Sequence, residues 1–187
     1  MPKPVKSRLI LFNKPFRVLS DRDAESGKPS IADYVPFPDV HPAGRLDYDS
    51  EGLLILTNDG ELQHRIIHPQ SKLPKTYVVQ VEGCPERESV ERLAKGVTLK
   101  DGVGRAVSAK VISTPNVPPR NPPVQERDDI GSTWLEIVLT EGRKRQIRRM
   151  TAAIGHPTLR LVRIAVGPWS LGDLKPGEWT HARTGIL

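Results

Sequence analysis

One cysteine, Cys84, stands in a chain of 187 residues. A lone thiol cannot close an internal disulfide or build a thiolate zinc site, and Cys84 reads as a packing residue rather than a nucleophile. Long apolar runs are missing too. No stretch approaches the roughly 20 residues that span a bilayer, and the N-terminal MPKPVKSR lacks the apolar segment of a signal peptide. A cytoplasmic protein with no membrane partner is therefore expected. Internal repeats are absent as well, which excludes solenoids and propellers. Acidic residues are the minority among the charges, 22 against 28 Lys and Arg, so the net charge is +6 and the isoelectric point lies near 9.6. That excess favours an acidic partner without choosing between nucleic acid, membrane surface and acidic protein. The length suits one domain or two intimately packed halves with a sizeable core.

What is present centres on Gly44 to Gly60, GRLDYDSEGLLILTNDG. Arg45, Asp47, Asp49 and Glu51 lead directly into Leu53, Leu54, Ile55 and Leu56, an apolar run of buried-strand length. Asn58-Asp59-Gly60 then forces a turn. A carboxylate just before a buried strand is held at the rim of the core, where burial and a nearby cation set its reactivity, so Asp47 is the candidate reactive group. A calcium loop starts well at Asp47-x-Asp49-x-Glu51-Gly52 but fails at Ile55 and Asn58, where an EF-hand needs ligands. The other bland reading is an ordinary turn whose acids face water.

In chain order, residues 1–7 read as a flexible start, Arg8 to Phe12 as a first strand and Asn13-Lys14-Pro15 as its stop, with Val18 and Leu19 resuming the strand. Ser30 caps a short helix through Tyr34. Asn58 or Asp59 caps Glu61 to Ile67, whose His64 and His68 have no evident third ligand for a metal. Thr76 to Val81 alternates, with Tyr77, Val79 and Val81 on one face. Tyr77 is thus a core aromatic or a stacking platform for a base. A helix runs from Pro85 to Lys95, and a hairpin turn at Lys100-Asp101-Gly102 leads into Ala106 to Ile112. Residues 115–132, rich in Pro, form a long exposed loop. A strand at Trp134 to Thr140 precedes a helix from Arg143 to Ile154, then comes a strand at Leu159 to Val166, with Trp169 and Trp179 as core residues.

Arg143, Lys144 and Arg145 crowd the positive end of that helix dipole. The arrangement costs about 0.3–1 kcal/mol per charge unless anions sit nearby, and phosphate is the natural one. Arg145 and Arg149 fall on a solvated face. Arg148 falls about 100° from Ile147 by helical spacing, at the edge of the buried stripe, and Asp47 is its expected partner.

GRLDYDSEGLLILTNDG resembles the catalytic signature of the RsuA-type ribosomal RNA pseudouridine synthases. NKP at Asn13 to Pro15, KTY at Lys75 to Tyr77 and EGRKRQIRRM at Glu141 to Met150 extend the resemblance, and RNPPVQER at Arg120 to Arg127 is similar to a loop of a member acting on 23S ribosomal RNA. It implies an α+β catalytic domain over 1–187, a mixed, mainly antiparallel sheet with flanking helices and a basic central cleft. The S4 domain that often precedes this fold has no room before Arg8. The implied reaction converts uridine to pseudouridine with the base flipped out, and it requires no metal or other cofactor. Asp47 is the implied catalytic carboxylate, Arg148 its ion-pair partner and Tyr77 the stacking ring, with Arg45, Arg143, Lys144, Arg145, Lys14 and Lys75 on RNA and a monomer as the expected state. Arg17 stands where the family usually has Gly, so the local backbone there is expected to differ. A noncatalytic RNA-binding module accounts equally for the charge, Tyr77 and the basic helix, but gives no reason for a carboxylate at position 47.

Overall fold

The computed structural model describes residues 6–22, 26–185 and 187. Residues 1–5 of the expected flexible start lie outside them, whereas Lys6 and Ser7 are tied down: Asn58 Nδ2 donates to Lys6 O at 3.2 Å and the Ser7 hydroxyl to Asp59 at 3.3 Å.

Eleven strands and three α-helices follow in the order β1 (Leu9–Lys14), β2 (His41–Pro42), β3 (Glu51–Thr57), α1 (Gly60–Ile67), β4 (Lys75–Glu82), α2 (Arg87–Lys95), β5 (Val97–Leu99), β6 (Gly102–Gly104), β7 (Ser108–Ile112), β8 (Ser132–Leu139), α3 (Gln146–Ala153), β9 (Thr158–Val166), β10 (Trp169–Ser170) and β11 (Trp179–His181). The main sheet has the order β11-β1-β3-β9-β4-β8-β7, with β2 added to β3 and β10 to β9, while β5 and β6 form a separate hairpin. Every pairing is antiparallel except that of β3 with β9, which is parallel and registers only Glu51 with Val162 and Gly52 with Arg163. The mixed, mainly antiparallel sheet is thus the observed architecture.

The apolar run of β3 is buried on both faces because its side chains alternate between two clusters. Leu53 and Ile55 join Leu62 and Ile66 of α1 with Val78, Val162 and Trp169. Leu54 and Leu56 join Ile10, Phe12, Ile31 and Val35. Each such side chain contributes about 1.5–3 kcal/mol, which fixes β3 as the rigid mount for whatever precedes it. A third cluster sets Tyr77, Val79 and Val81 of β4 and the inward side chains of β8 against Val90 and Leu93 of α2 and Ile147 and Met150 of α3.

Several expected boundaries move. β1 runs on through Asn13 and Lys14, because both register against β3. Val18 and Leu19 resume no strand; Leu19 makes only an isolated bridge to Ser30. Ser30 caps a 3₁₀ turn, Ile31–Asp33, through a full capping box. Asp59 caps α1, accepting from Glu61 N and Leu62 N at 3.0 Å each. Helix α3 starts at Gln146 rather than Arg143, because Arg145 takes a left-handed φ of 51°. The Pro-rich loop is largely exposed as expected, yet it is tied to the body: Arg160 donates to Pro118 O at 2.8 Å, Gln80 to Glu126 at 2.6 Å, and Arg120 stacks 4.0 Å over the Phe16 ring. Side-chain anchors compensate here for the apolar surface the loop lacks.

Candidate active site

The segment carrying Asp47 has almost no regular structure, yet its backbone is held nearly residue by residue. Gly44 O accepts from Arg163 at 2.8 Å, and Leu46 N donates to the Ser20 hydroxyl at 3.0 Å while that hydroxyl donates to Leu46 O at 2.5 Å. Asp47 O accepts from Ser50 N at 3.0 Å, Tyr48 O from Arg17 N at 2.8 Å and Asp49 O from Arg148 at 2.8 Å. Arg17 makes its bond with a left-handed φ of 60°. The backbone therefore keeps a conformation suited to glycine although an Arg occupies the position, and the expected local difference is a strained residue rather than a new path.

Behind the segment, Gly52 at φ 104° lies so close to β9 that a Cβ would come within 2.2 Å of Arg163 O. Glu51 is sealed in an ion pair with Arg160, at 2.9 and 3.0 Å, with each side chain only 7% exposed. Arg163 is buried as well and donates to Leu53 O at 2.8 Å. Arg160 and Arg163 escaped notice in the sequence, although they interrupt the apolar strand LRLVRIAV; a charge inside a buried strand requires a buried partner.

Asp47 and Asp49 project toward α3. The left-handed turn at Arg145 brings its guanidinium over both: it grips the Asp49 carboxylate at 2.8 and 3.0 Å and lies 3.6 Å from Asp47 Oδ2. Arg148 does not pair with Asp47 as expected. It binds Asp49, through the backbone oxygen at 2.8 Å and the carboxylate at 3.5 Å. The left-handed turn at Arg145 sets its guanidinium beside Asp47, the place expected for Arg148, while Arg148 meets Asp49. Burial raises the Asp49 carboxyl, but the hydrogen bond from Arg145 and the charges of Arg148 and Arg145 outweigh it and hold the group below its ordinary value. Burial also lowers the Arg148 guanidinium, opposed by Asp49. The side chain of Asp47 is 39% exposed and opens into a cleft of about 1180 Å³.

Arg45, Lys75, Tyr77, Arg143, Lys144 and Arg145 line the same cleft, as does Arg163. Tyr77 serves both readings at once: it belongs to the core cluster beside Ile147, is 8% exposed, and forms part of the cleft wall. Lys75 is half-buried, and burial followed by the charge of Arg163 lowers its amine. Arg45 pairs with Asp21 at 2.7 Å on the exposed rim.

Besides Arg145, held by Asp49, and Arg45, paired with Asp21, two further residues expected on RNA are engaged within the protein. Lys14 is wholly buried beneath the segment, donating to Pro15 O, Val18 O and Tyr48 O, and burial pushes its amine down to about 7 against the pull of Glu51, Asp49 and Asp47. It faces the core because β1 extends two residues further, to Lys14, than the Pro signal suggested. Arg143 ties down the β5–β6 hairpin, donating to Val103 O at 2.7 Å and lying 3.4 Å from both Asp101 and Glu141. The anions that relieve crowding before α3 are thus the protein's own carboxylates, Arg149 included with Asp101 at 2.6 Å. Lys144 stays exposed on the cleft wall. His64 and His68 stack at 4.7 Å, and among the described residues no group of His, Cys, Asp or Glu has a metal-holding arrangement. No described helix is long and apolar enough to cross a membrane.

Residues 8–153 match the family model described as RNA pseudouridylate synthase. The chain is 54% identical over 172 residues to a ribosomal large subunit pseudouridine synthase E of Vibrio parahaemolyticus, covering 92% of this chain and 72% of that protein. It is 51% identical to the protein of the same name from Xanthomonas campestris, covering 91% and 93%. A solved structure described as the crystal structure of pseudouridylate synthase superposes with a TM-score of 0.77 at 27% identity, over 95% of this chain and 71% of that one. Human RNA pseudouridylate synthase domain containing 1, at 14% identity and a TM-score of 0.58, shares the fold over 96% of this chain and 80% of its own.

Proposed function

The chain belongs to the RNA pseudouridylate synthases, enzymes that isomerise uridine to pseudouridine, and from that membership we propose that it modifies 23S ribosomal RNA with Asp47 as the catalytic carboxylate. In the reaction the N1–C1′ bond breaks, the uracil turns and C5 bonds to C1′; the proton leaving C5 is balanced by one gained at N1. Product and substrate are isomers, so no electron or group carrier is consumed.

The observation that carries the assignment is the mounting of Asp47. Its carbonyl accepts from Ser50 N, its neighbours Leu46, Tyr48 and Asp49 are held by Ser20, Arg17 and Arg148, and its carboxylate looks into the cleft instead of sealing an ion pair like that of Glu51. Pre-positioning of this kind lowers the barrier by holding the reactive group where the substrate arrives. Arg145, rather than Arg148 alone, acts on it: the guanidinium lies 3.6 Å from Asp47 Oδ2, while its grip on Asp49 fixes the geometry. Arg148 then acts as a positioning residue through the Asp49 backbone. The target uridine leaves its stack and enters the cleft, where Tyr77 stacks on the uracil and Arg45 at the rim meets the RNA. Lys144 and Lys75 take phosphate. We propose a monomer as the working enzyme, and ribosomal RNA as substrate supports the cytoplasm as its place of action.

Asp47→Asn keeps the shape and removes the anion. Tritium release from 5-tritiated uridine in 23S ribosomal RNA should be abolished while RNA affinity changes little. Release at the wild-type rate would overturn the assignment.

A further inference from the structure

Beyond the cleft that holds Asp47, past Thr140 and Glu141, lies a second basin of about 590 Å³. The two adjoin, since Pro69, Thr140 and Glu141 line both. The geometry points to this basin as the seat of an unpaired nucleotide that flanks the target uridine, with its base on Val103 and Val107 and its phosphate between Lys72 and Arg105. The inference rests on uridine in RNA being the substrate of the adjoining cleft.

Four features of the basin support this occupant. Two apolar side chains of its lining are open to water: Val103 and Val107 are 56% and 60% exposed. Exposed valines lining a basin are unfavourable in water and suit the face of a base. The cations beside them, Lys72 and Arg105, have no carboxylate partner among the described residues, although most arginines around the cleft do. The one carboxylate on the wall, Glu141, is turned away, accepting from Gln146 at 2.5 Å and lying 3.4 Å from Arg143.

Both cations are also held in place by their backbone surroundings. Lys72 has a left-handed φ of 46° closing the turn Pro69–Ser71. Arg105 and Val103 rest on Gly96, where a Cβ would come 2.9 Å from Val103 Cγ1 and 3.4 Å from the Arg105 guanidinium. Gly96 therefore makes room for the side chains that form the site. The volume falls within the ~300–1,000 Å³ of small-ligand sites, which fits a single nucleotide and excludes a duplex. An unpaired neighbour is also what a flipped target requires, because the strand must leave the helix at that point.

The test uses fluorescein-labelled octauridylate and a blunt RNA duplex as probes, with the whole protein, in anisotropy titrations at several salt concentrations. Lys72→Gln/Arg105→Gln should weaken octauridylate binding about 10-fold and flatten the slope of log K against log salt by roughly 1.4, at ~0.7 for each cation lost on a single strand. Arg87→Gln, a remote exposed cation on α2, should change it less than 2-fold, roughly the effect expected of net charge alone. The duplex should respond alike to both variants. Val103→Ser should lower affinity for octauridylate and not for an abasic octamer, and equal losses on the two would remove the base from the site. A double variant that binds octauridylate like the Arg87 variant overturns the inference. Tritium release by the wild type is measured in parallel: its absence would instead sink the uridine reading, whatever the binding data.

Discussion

Replacing Arg160 by Met strands the Glu51 carboxylate inside the sheet. Both side chains are 7% exposed, the pair makes two hydrogen bonds at 2.9 and 3.0 Å, and Arg160 also donates to Pro118 O. Removing one partner of a buried pair costs about 3–5 kcal/mol, chiefly because the remaining charge is uncompensated. At ~2–4 °C per kcal/mol for a chain of this size, the melting temperature should fall by roughly 6–20 °C. The penalty belongs to the leftover charge, so adding Glu51→Met should recover most of it. About 1 kcal/mol should stay lost for the hydrogen bond to Pro118. Thermal and urea unfolding of the wild type, both single variants and the double variant gives the coupling energy, expected to be at least about 2 kcal/mol. Additive single effects would refute the buried pair as the clamp between β3 and β9, which register only two residues against each other. Because Ser50 adjoins Glu51 and bonds Asp47 O, Arg160→Met should also lose activity below its new melting point.

Arg145→Gln should lower single-turnover tritium release at least 10-fold, the scale of a lost positioning contact, whereas Arg149→Gln, whose guanidinium is engaged with Asp101, should stay within about 2-fold. Equal losses would make the region a general electrostatic cradle. Gly52→Ala should prevent soluble folding or destabilise by more than about 2 kcal/mol, since its Cβ meets Arg163 O at 2.2 Å; a normal urea midpoint would contradict that contact. Lys14 carries a pH signature. Burial lowers its amine from 10.5 to about 7, so between those values the unfolded chain holds a proton that the native one has released, and stability rises with pH through that window. Below about pH 7 both states are protonated and the cost of the buried charge is fully present. The stability of the wild type relative to Lys14→Met, from urea unfolding, should therefore increase from pH 7 toward pH 9, and a flat difference would place the amine in water.

The sequence by itself determined what depends on neighbours along the chain. The Leu53 to Leu56 run had to be a buried strand, Asn58 or Asp59 a helix cap and Ser30 another, because periodicity and capping are local. The alternation of Tyr77, Val79 and Val81 put the tyrosine with the core, and the resemblance of GRLD marked Asp47. The tertiary structure alone decided which charge meets which. Helical spacing set Arg148 beside Ile147 at the edge of the buried stripe, and both do sit in α3, but spacing within one helix does not say which carboxylate lies opposite. A left-handed residue at Arg145, which no propensity predicts for arginine, brings that guanidinium to Asp47, while Arg148 meets Asp49. Lys14 likewise reads as a basic residue in a turn, and only the extension of β1 against β3 buries it among carbonyls. Glu51 and Arg160 are 109 positions apart. Their pairing, and with it the place of Asp47 at the mouth of the cleft, follows from a parallel contact between β3 and β9 that only the folded chain creates.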